Sequence, residues 1–242
     1  QKVLNNKFFN DFNLNISLST DISYRILPQP HFSIKDAKLF YQKSNVPNEI
    51  GEIKELKIFI SKKNFFNKKS IEILKAEFIK SNFFFNKSDF NFFKQFLNNK
   101  FSEKKLIIKK SRLFLKDNNK NIIFIYTINK ANLNFNLEEN INYISTKGEV
   151  FKIPTKINWS KNFETKKKIT KIKTKKVFID SLNEGNFING IYEYENTLDF
   201  FSNRLKTKYK ILDNSINFQS KKSLIKSTPI EYVGDINFKP FN

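Results

Sequence analysis

DFNLNISLSTDISYRILPQPHFSIKDAKLFY, residues 11–41, decides the reading of the fold. Phe12, Leu14, Ile16, Leu18, Ile22, Tyr24 and Ile26 share one parity, while Asn13, Asn15, Ser17, Ser19, Ser23 and Arg25 fill the other. Successive side chains of a strand point to opposite faces, so this spacing predicts a ribbon with one apolar and one wet side. Pro28 and Pro30 mark a turn, and Phe32 and Ile34 open a second strand. That strand then changes phase to Ala37, Leu39 and Tyr41. A one-residue phase change inside a strand marks a bulge, here near Asp36, and bulges bend and twist a ribbon.

The alternation recurs outward from this segment. Leu56, Ile58 and Ile60 are in phase, as are Leu74, Ala76 and Phe78. Leu106 and Ile108 precede Leu113 and Leu115; then come Ile122, Phe124, Tyr126 and Ile128, followed by Ala131, Leu133, Phe135 and Leu137. Turns are expected at Val46-Pro47-Asn48, Asp117-Asn118-Asn119 and Lys147-Gly148. Short helical patches are expected at 2–9, 62–69 and 197–205, and after Ser88, where an N-cap serine precedes Phe92, Phe93, Phe96 and Leu97. Long crossover helices are missing from the pattern. The expected fold is therefore mainly β: an extended, curved antiparallel sheet or groove, a β-meander with a few short helices. The lysine-dense stretch 161–176 is the expected seam between residues 1–160 and a continuation of the sheet over 161–242.

The formal net charge of +21 invites a nucleic-acid reading, since phosphate contacts need clustered cations. Only Arg25, Arg112 and Arg204 are arginines, however, and bidentate phosphate and base contacts favour arginine. Abundant Lys, Asn, Ile and Phe beside scarce Gly, Pro and Trp match the codon bias of an A+T-rich genome. These features argue against nucleic acid as a partner. No cysteine is present, which excludes disulfides, thiolate metal sites and a cysteine nucleophile. No apolar run approaches the roughly 18 residues of a membrane-spanning helix. The Gln1 start and the lack of methionine read as an excised piece, with any targeting or membrane segment upstream.

Sequence chemistry for catalysis is sparse. His31, the one histidine, sits in the Pro28–Pro30 turn, and turn residues of this kind are structural. Metalloprotease, nucleophile-elbow, P-loop and dinucleotide motifs are missing. Glu193 and Glu195 share a strand face, a spacing that solvation explains as well as catalysis. No catalytic residue, metal site or cofactor is expected. What stands out is apolar surface, with 29 phenylalanines. A one-sided sheet needs a cover, and acyl chains provide one without polar anchors. The candidate groove-lining residues are Phe12, Leu14, Ile16, Leu18, Ile22, Tyr24, Ile26, Leu56, Ile58, Ile122, Phe124, Tyr126, Leu133 and Phe135.

The segment Asp21–Leu39 resembles the amino-terminal part of the AsmA family, where a strand ending in a Pro-x-Pro turn leads into an L-x-L-x-D-V-x-L-like strand. Phe32, Ile34, Asp36, Ala37 and Leu39 fill those places. Gly51–Ile60 resembles the following alternating strand, Lys62–Lys69 the short helix after it, and Ile71–Phe85 the next strand without the family's proline. The likeness covers residues 8–160. It implies a non-enzymatic periplasmic β-groove, anchored in the bacterial inner membrane by an upstream helix outside this chain. It also implies phospholipid acyl chains as cargo, as in the bridge-like lipid-transfer proteins, and a part in outer-membrane maintenance. Two other readings stay open: a lysine-rich nucleic-acid or polyanion binder, and a factor that assists outer-membrane assembly by lending sheet edges.

Overall fold

The computed structural model describes residues 2–18, 21–43, 46–65, 71–86, 89–212 and 215–237. The chain is mainly β: seventeen strands join one mixed, mostly antiparallel sheet, with two α-helices among the described residues. It divides into two compact units, Gln1–Leu137 with Thr146–Lys152, and Glu138–Ser145 with Ile153–Asn242.

Unit 1 begins with helix α1 (Lys2–Phe12), then strands β1 (Asn15–Ser17), β2 (Ile22–Arg25), β3 (His31–Lys43) and β4 (Val46–Ile60). A 3-10 turn at Lys62–Phe65 precedes β5 (Ile73–Asn86), α2 (Phe90–Asn98), β6 (Lys105–Lys116) and β7 (Ile122–Asn136). Its last strand segment is the end of β8 (Ile141–Val150), whose first half belongs to unit 2.

The first alternating ribbon is not one strand, and Phe12 belongs to a helix. Leu4, Phe8 and Phe12 recur at i, i+4 and i+8 and are all buried, so a helical stripe outcompetes the period-two signal. Asn13, at φ 53°, ends the helix in the left-handed conformation that asparagine tolerates. β1 and β2 then pair in succession against one long β3, as Ile16 with Leu39 and Ile22 with Ile34. Ile16 and Ile22 keep the same parity although Leu39 and Ile34 differ. The β1–β2 side spends one more residue over this interval than β3 does, which cancels the phase change.

That phase change lies where the sequence places it, with Asp36 at φ 52°, but it is not the expected bulge in the β3–β4 pair, whose register holds from Lys35–Glu55 to Ala37–Ile53 and shifts between Leu39 and Phe40. It also crosses the whole sheet of unit 1. Lys35-Asp36, Lys54-Glu55, Ile79-Lys80, Lys109-Lys110 and Asn129-Lys130 each put two unburied residues where one is due. Registers on either side, such as Lys35 with Glu55 and Ala37 with Ile53, line these pairs up across β3–β7. Lys80 and Lys110 share the left-handed backbone, at φ 54° and 51°. Where this crease interrupts the β5–β6 ladder, the buried Ser111 hydroxyl accepts the Ser81 N–H at 3.0 Å and donates to the Lys109 carbonyl at 2.8 Å. The polar group the crease would otherwise strand is thereby satisfied.

A pure meander does not hold in unit 1. β5 and β6 are parallel, with residues 87–104, including α2, as the crossover. Alternation reports which face a residue takes, not which way its strand runs, and a crossover of about a dozen residues suffices for a parallel pair. Ser88 and residues 66–69 lie outside the described residues. Asp89 stands at the N-cap of α2 without capping it. Its buried carboxylate instead accepts the Tyr41 hydroxyl at 2.6 Å and the Asn86 N–H at 2.8 Å. Two expected turns are strand: Val46-Pro47-Asn48 opens β4, and Lys147-Gly148 lies within β8.

Unit 2 continues from the first half of β8 into β9 (Ile153–Asn162), β10 (Lys168–Thr174), β11 (Ile179–Ile188), β12 (Ile191–Phe200) and β13 (Asn203–Ile211). β14 (Ser215–Ser220), β15 (Ser223–Ile225), β16 (Thr228–Ile230) and β17 (Val233–Asn237) complete it. The ladder from β9 to β14 is antiparallel throughout, with β17 paired to β14. The expected helical patch at 197–205 is instead the β12–β13 hairpin, since Leu198 and Leu205 meet as cross-strand partners. The lysine-dense stretch 161–176 holds β10, paired on both sides.

Candidate functional site

In unit 1 the predicted apolar parity assembles into cross-strand rows. Tyr24, Phe32, Ile58, Ala76, Leu106 and Leu133 form one, and Ile22, Ile34, Leu56, Phe78, Ile108 and Ala131 a second. Beyond the crease, Ile16, Leu39, Gly51, Phe83, Leu113 and Tyr126 form a third. The two helices cover much of this face. Phe8 of α1 is fully buried beside Phe12 (4.7 Å between rings) and Phe78 (6.2 Å), and α2 places Phe92 on Tyr41 (4.3 Å) and Phe93 on Phe85 (4.0 Å).

Coverage divides the fourteen candidate residues. Phe12, Leu14, Ile16, Leu18, Leu56, Ile58, Tyr126 and Phe135 are buried in protein, Leu56 and Ile58 completely. As the structure stands they are core, closed to a ligand. Ile22, Phe124 and Leu133 are half-buried, and Tyr24, Ile26 and Ile122 are exposed. Away from β3–β5 the apolar face stays only partly covered, at Ile108, Leu113, Leu115 and Phe124.

Unit 2 differs in kind. Among its described residues no large apolar side chain is buried. The ladder sorts its side chains by face all the same. On one face, Ile157, Ile172, Leu198 and Leu205 lie in a row, and Tyr194, Tyr209 and Phe218 lie in another. A third row holds Ile211, Ile216 and Ile236. Between the first two runs a polar row, Thr170, Asn183, Asn196 and Thr207, tied down internally by Tyr209 donating to Asn183 (2.9 Å) and Asn196 donating to Ser181 (3.2 Å).

The aromatic row ends in glycines. A Cβ on Gly185 would meet the Tyr194 ring at 2.5 Å, and one on Gly234 would meet the Phe218 ring at 3.0 Å. Bare backbone there lets the rings lie flat against the sheet, with Tyr194 and Tyr209 stacked at 4.9 Å and only 10° apart in plane. Burial raises the ionisation of both phenols above the usual tyrosine range, reinforced for Tyr194 by its neighbour Tyr209. Sequence reasoning passed over this row. Its signal is the I-Y-E-Y-E-N alternation at 191–196 together with glycine inside a strand.

The opposite face of unit 2 is ionic, and its charges pair across strands in register. Lys173 meets Asp180 (2.5 Å), Arg204 grips Asp199 through two nitrogens (2.6 and 3.1 Å), and Lys210 meets Glu193 (2.7 Å). Glu195 takes Lys208 and Lys221, and the hydrogen bond from Lys221 foremost holds its carboxyl below the usual range. A hollow of about 550 Å³ lies on this face, its polar lining Glu193, Glu195, Lys208, Lys210 and Asp235. Ile188, Val233 and Phe218 line it as well, so it mixes compensated charge with apolar surface. Glu193 and Glu195 do share a face, as their spacing requires, and each is spoken for by lysine.

Other titratable groups are structural. His31 is buried, stacked on Phe59 at 5.0 Å, with Nδ1 2.8 Å from the Gln29 carbonyl. Glu77 is buried on the outer face of unit 1 between Lys109 (2.7 Å) and Lys75 (3.2 Å). Burial pushes its carboxyl up, but the two lysine hydrogen bonds outweigh that and leave it below the usual range. Among the described residues no group of three or more His, Asp or Glu could hold a metal ion, and no helix is long and apolar enough to cross a membrane. No protein-family model matches the sequence, and no curated protein matches it.

Proposed function

We propose that this chain is a non-enzymatic, AsmA-like β-groove protein of the bacterial envelope that holds phospholipid acyl chains against its apolar sheet face. One observation carries the reading. Unit 2 sorts aliphatic and aromatic rows onto one face and cross-strand ion pairs onto the other, yet buries none of the former. Apolar rows left without cover in this way mark a binding surface, because each methylene left in water forgoes about 0.8 kcal/mol. Acyl chains fit it because they ask for apolar contact and need no polar anchor. In unit 1 the partly covered residues Phe124, Leu133, Leu113 and Leu115 offer the same chemistry.

The AsmA likeness of residues 21–39 supplies the rest of the proposal: a periplasmic site, an inner-membrane anchor, and work in lipid transport between membranes or with outer-membrane assembly factors. Against a polyanion role stands the pairing of lysine with acid across the ionic face of unit 2. The test is native mass spectrometry of the chain after mild extraction. Co-purified phospholipid is expected, and lipid-free protein under gentle conditions would refute the proposal.

A further inference from the structure

We infer that one edge of unit 2, formed by the turns at 175–178, 201–202 and 226–227, docks on an anionic bilayer surface. The ladder brings these turns together. Thr174 pairs with Ile179, Phe200 with Asn203 and Arg204 with Leu224, and the Lys226 N–H donates to Asn203 Oδ1 at 3.1 Å. Two turns carry a phenylalanine at the tip. Phe178 and Phe201 are 68% and 73% exposed, both sit at φ 50°, and their rings lie 5.9 Å apart. A bulky residue in the left-handed region is an outlier, and here the backbone is bent to hold apolar rings in water. At the other end of β11 and β12 the same unit makes its turn with Asn189-Gly190, residues suited to that conformation.

The charge that these turns themselves carry has one sign. Lys175, Lys176 and Lys226 are exposed in these turns, and among the described residues no carboxylate pairs with them. Asp180 and Asp199, which flank two of the turns, are taken by Lys173 and Arg204. Exposed Leu224 and Ile225 extend the apolar tip. Aromatic rings that enter the headgroup boundary while lysines meet the phosphates form an interfacial anchor. The assignment concerns the rim of unit 2 and goes beyond the acyl-chain reading, which rests on the sheet face.

The experiment is co-flotation of the full chain with phosphatidylcholine vesicles, with and without phosphatidylglycerol. Binding should require phosphatidylglycerol and weaken with salt. Replacing Phe178→Ser and Phe201→Ser should weaken it about tenfold for each ring, from the apolar area each would bury. Lys175→Ser with Lys176→Ser should weaken it as well, and Ile188→Ser with Ile191→Ser should leave it unchanged. Both rings are exposed, so far-UV circular dichroism should match wild type. Co-purified lipid should persist in the ring variants, which separates this edge from the sheet face. Failure to bind anionic vesicles, equal binding to neutral ones, or wild-type binding by the ring variants would overturn the inference.

Discussion

Replacing Phe8→Ala tests whether α1 seals the apolar face over β5. Phe8 is fully buried and packs against Phe12 and Phe78 at 4.7 and 6.2 Å between ring centroids. Removing a ring that buries about 150–250 Å², at about 25 cal/mol per Å², costs about 4–6 kcal/mol as an upper bound. Measured Phe-to-Ala truncations in packed cores fall at about 3–5 kcal/mol. The expected loss is therefore about 4 kcal/mol, close to a thousandfold in the opening equilibrium. Native-state hydrogen exchange at the β5 amides, Phe78 among them, reads this directly. Protection there should fall by that factor. A loss under about 1 kcal/mol would mean that Phe8 is not wedged on the sheet, and the division into covered and uncovered faces would fail.

Other perturbations address single interactions. Asp89→Ala strands the Tyr41 hydroxyl and the Asn86 N–H, an expected cost of about 2–4 kcal/mol in urea denaturation. Burial, and then the hydrogen bond to Asp89, push the Tyr41 phenol up to about 12, so its stabilisation is full below the ordinary value of 10 and fades as pH rises towards 12. Spectroscopic titration of the variant should show Tyr41 ionising at lower pH than in wild type. Glu77→Gln should cost about 1–2 kcal/mol at neutral pH, since both partner lysines reach solvent. Because the Glu77 carboxyl is depressed, its contribution is present above its ordinary value of 4.5 and lost as pH falls through the folded value; stability-against-pH curves of wild type and variant should converge in acid. Gly148→Ala puts a Cβ 2.1 Å from the Thr127 carbonyl oxygen, and thermal denaturation should show a loss of about 2 kcal/mol or more.

Period-two reading served wherever a strand met water on one side. It located the crease at Asp36, the rows through Leu56, Ile58, Tyr126 and Leu133, and the shared face of Glu193 and Glu195. It failed where two periods coexist: Leu4, Phe8 and Phe12 fit a helix, while Phe12 also fits the strand pattern that follows. Strand direction was equally hidden, because the parallel β5–β6 pair has the same alternation as an antiparallel one. The candidate residues share a face in sequence, but only the structure separates Leu56, fully buried, from Phe124 and Leu133, which stay partly open. Burial by a distant segment leaves no local mark. The turn phenylalanines could not be read from sequence either: 197–205 reads as a helical patch, and nothing local marks the left-handed backbone at Phe201.

Site-specific photo-crosslinking to labelled phospholipid tests the central claim most directly. A crosslinker placed at Leu198 or Tyr209, on the apolar face of unit 2, should capture lipid, while one at the adjacent Lys206 or Lys208, on the ionic face, should not. Equal capture from both faces, or none from either, would contradict the account.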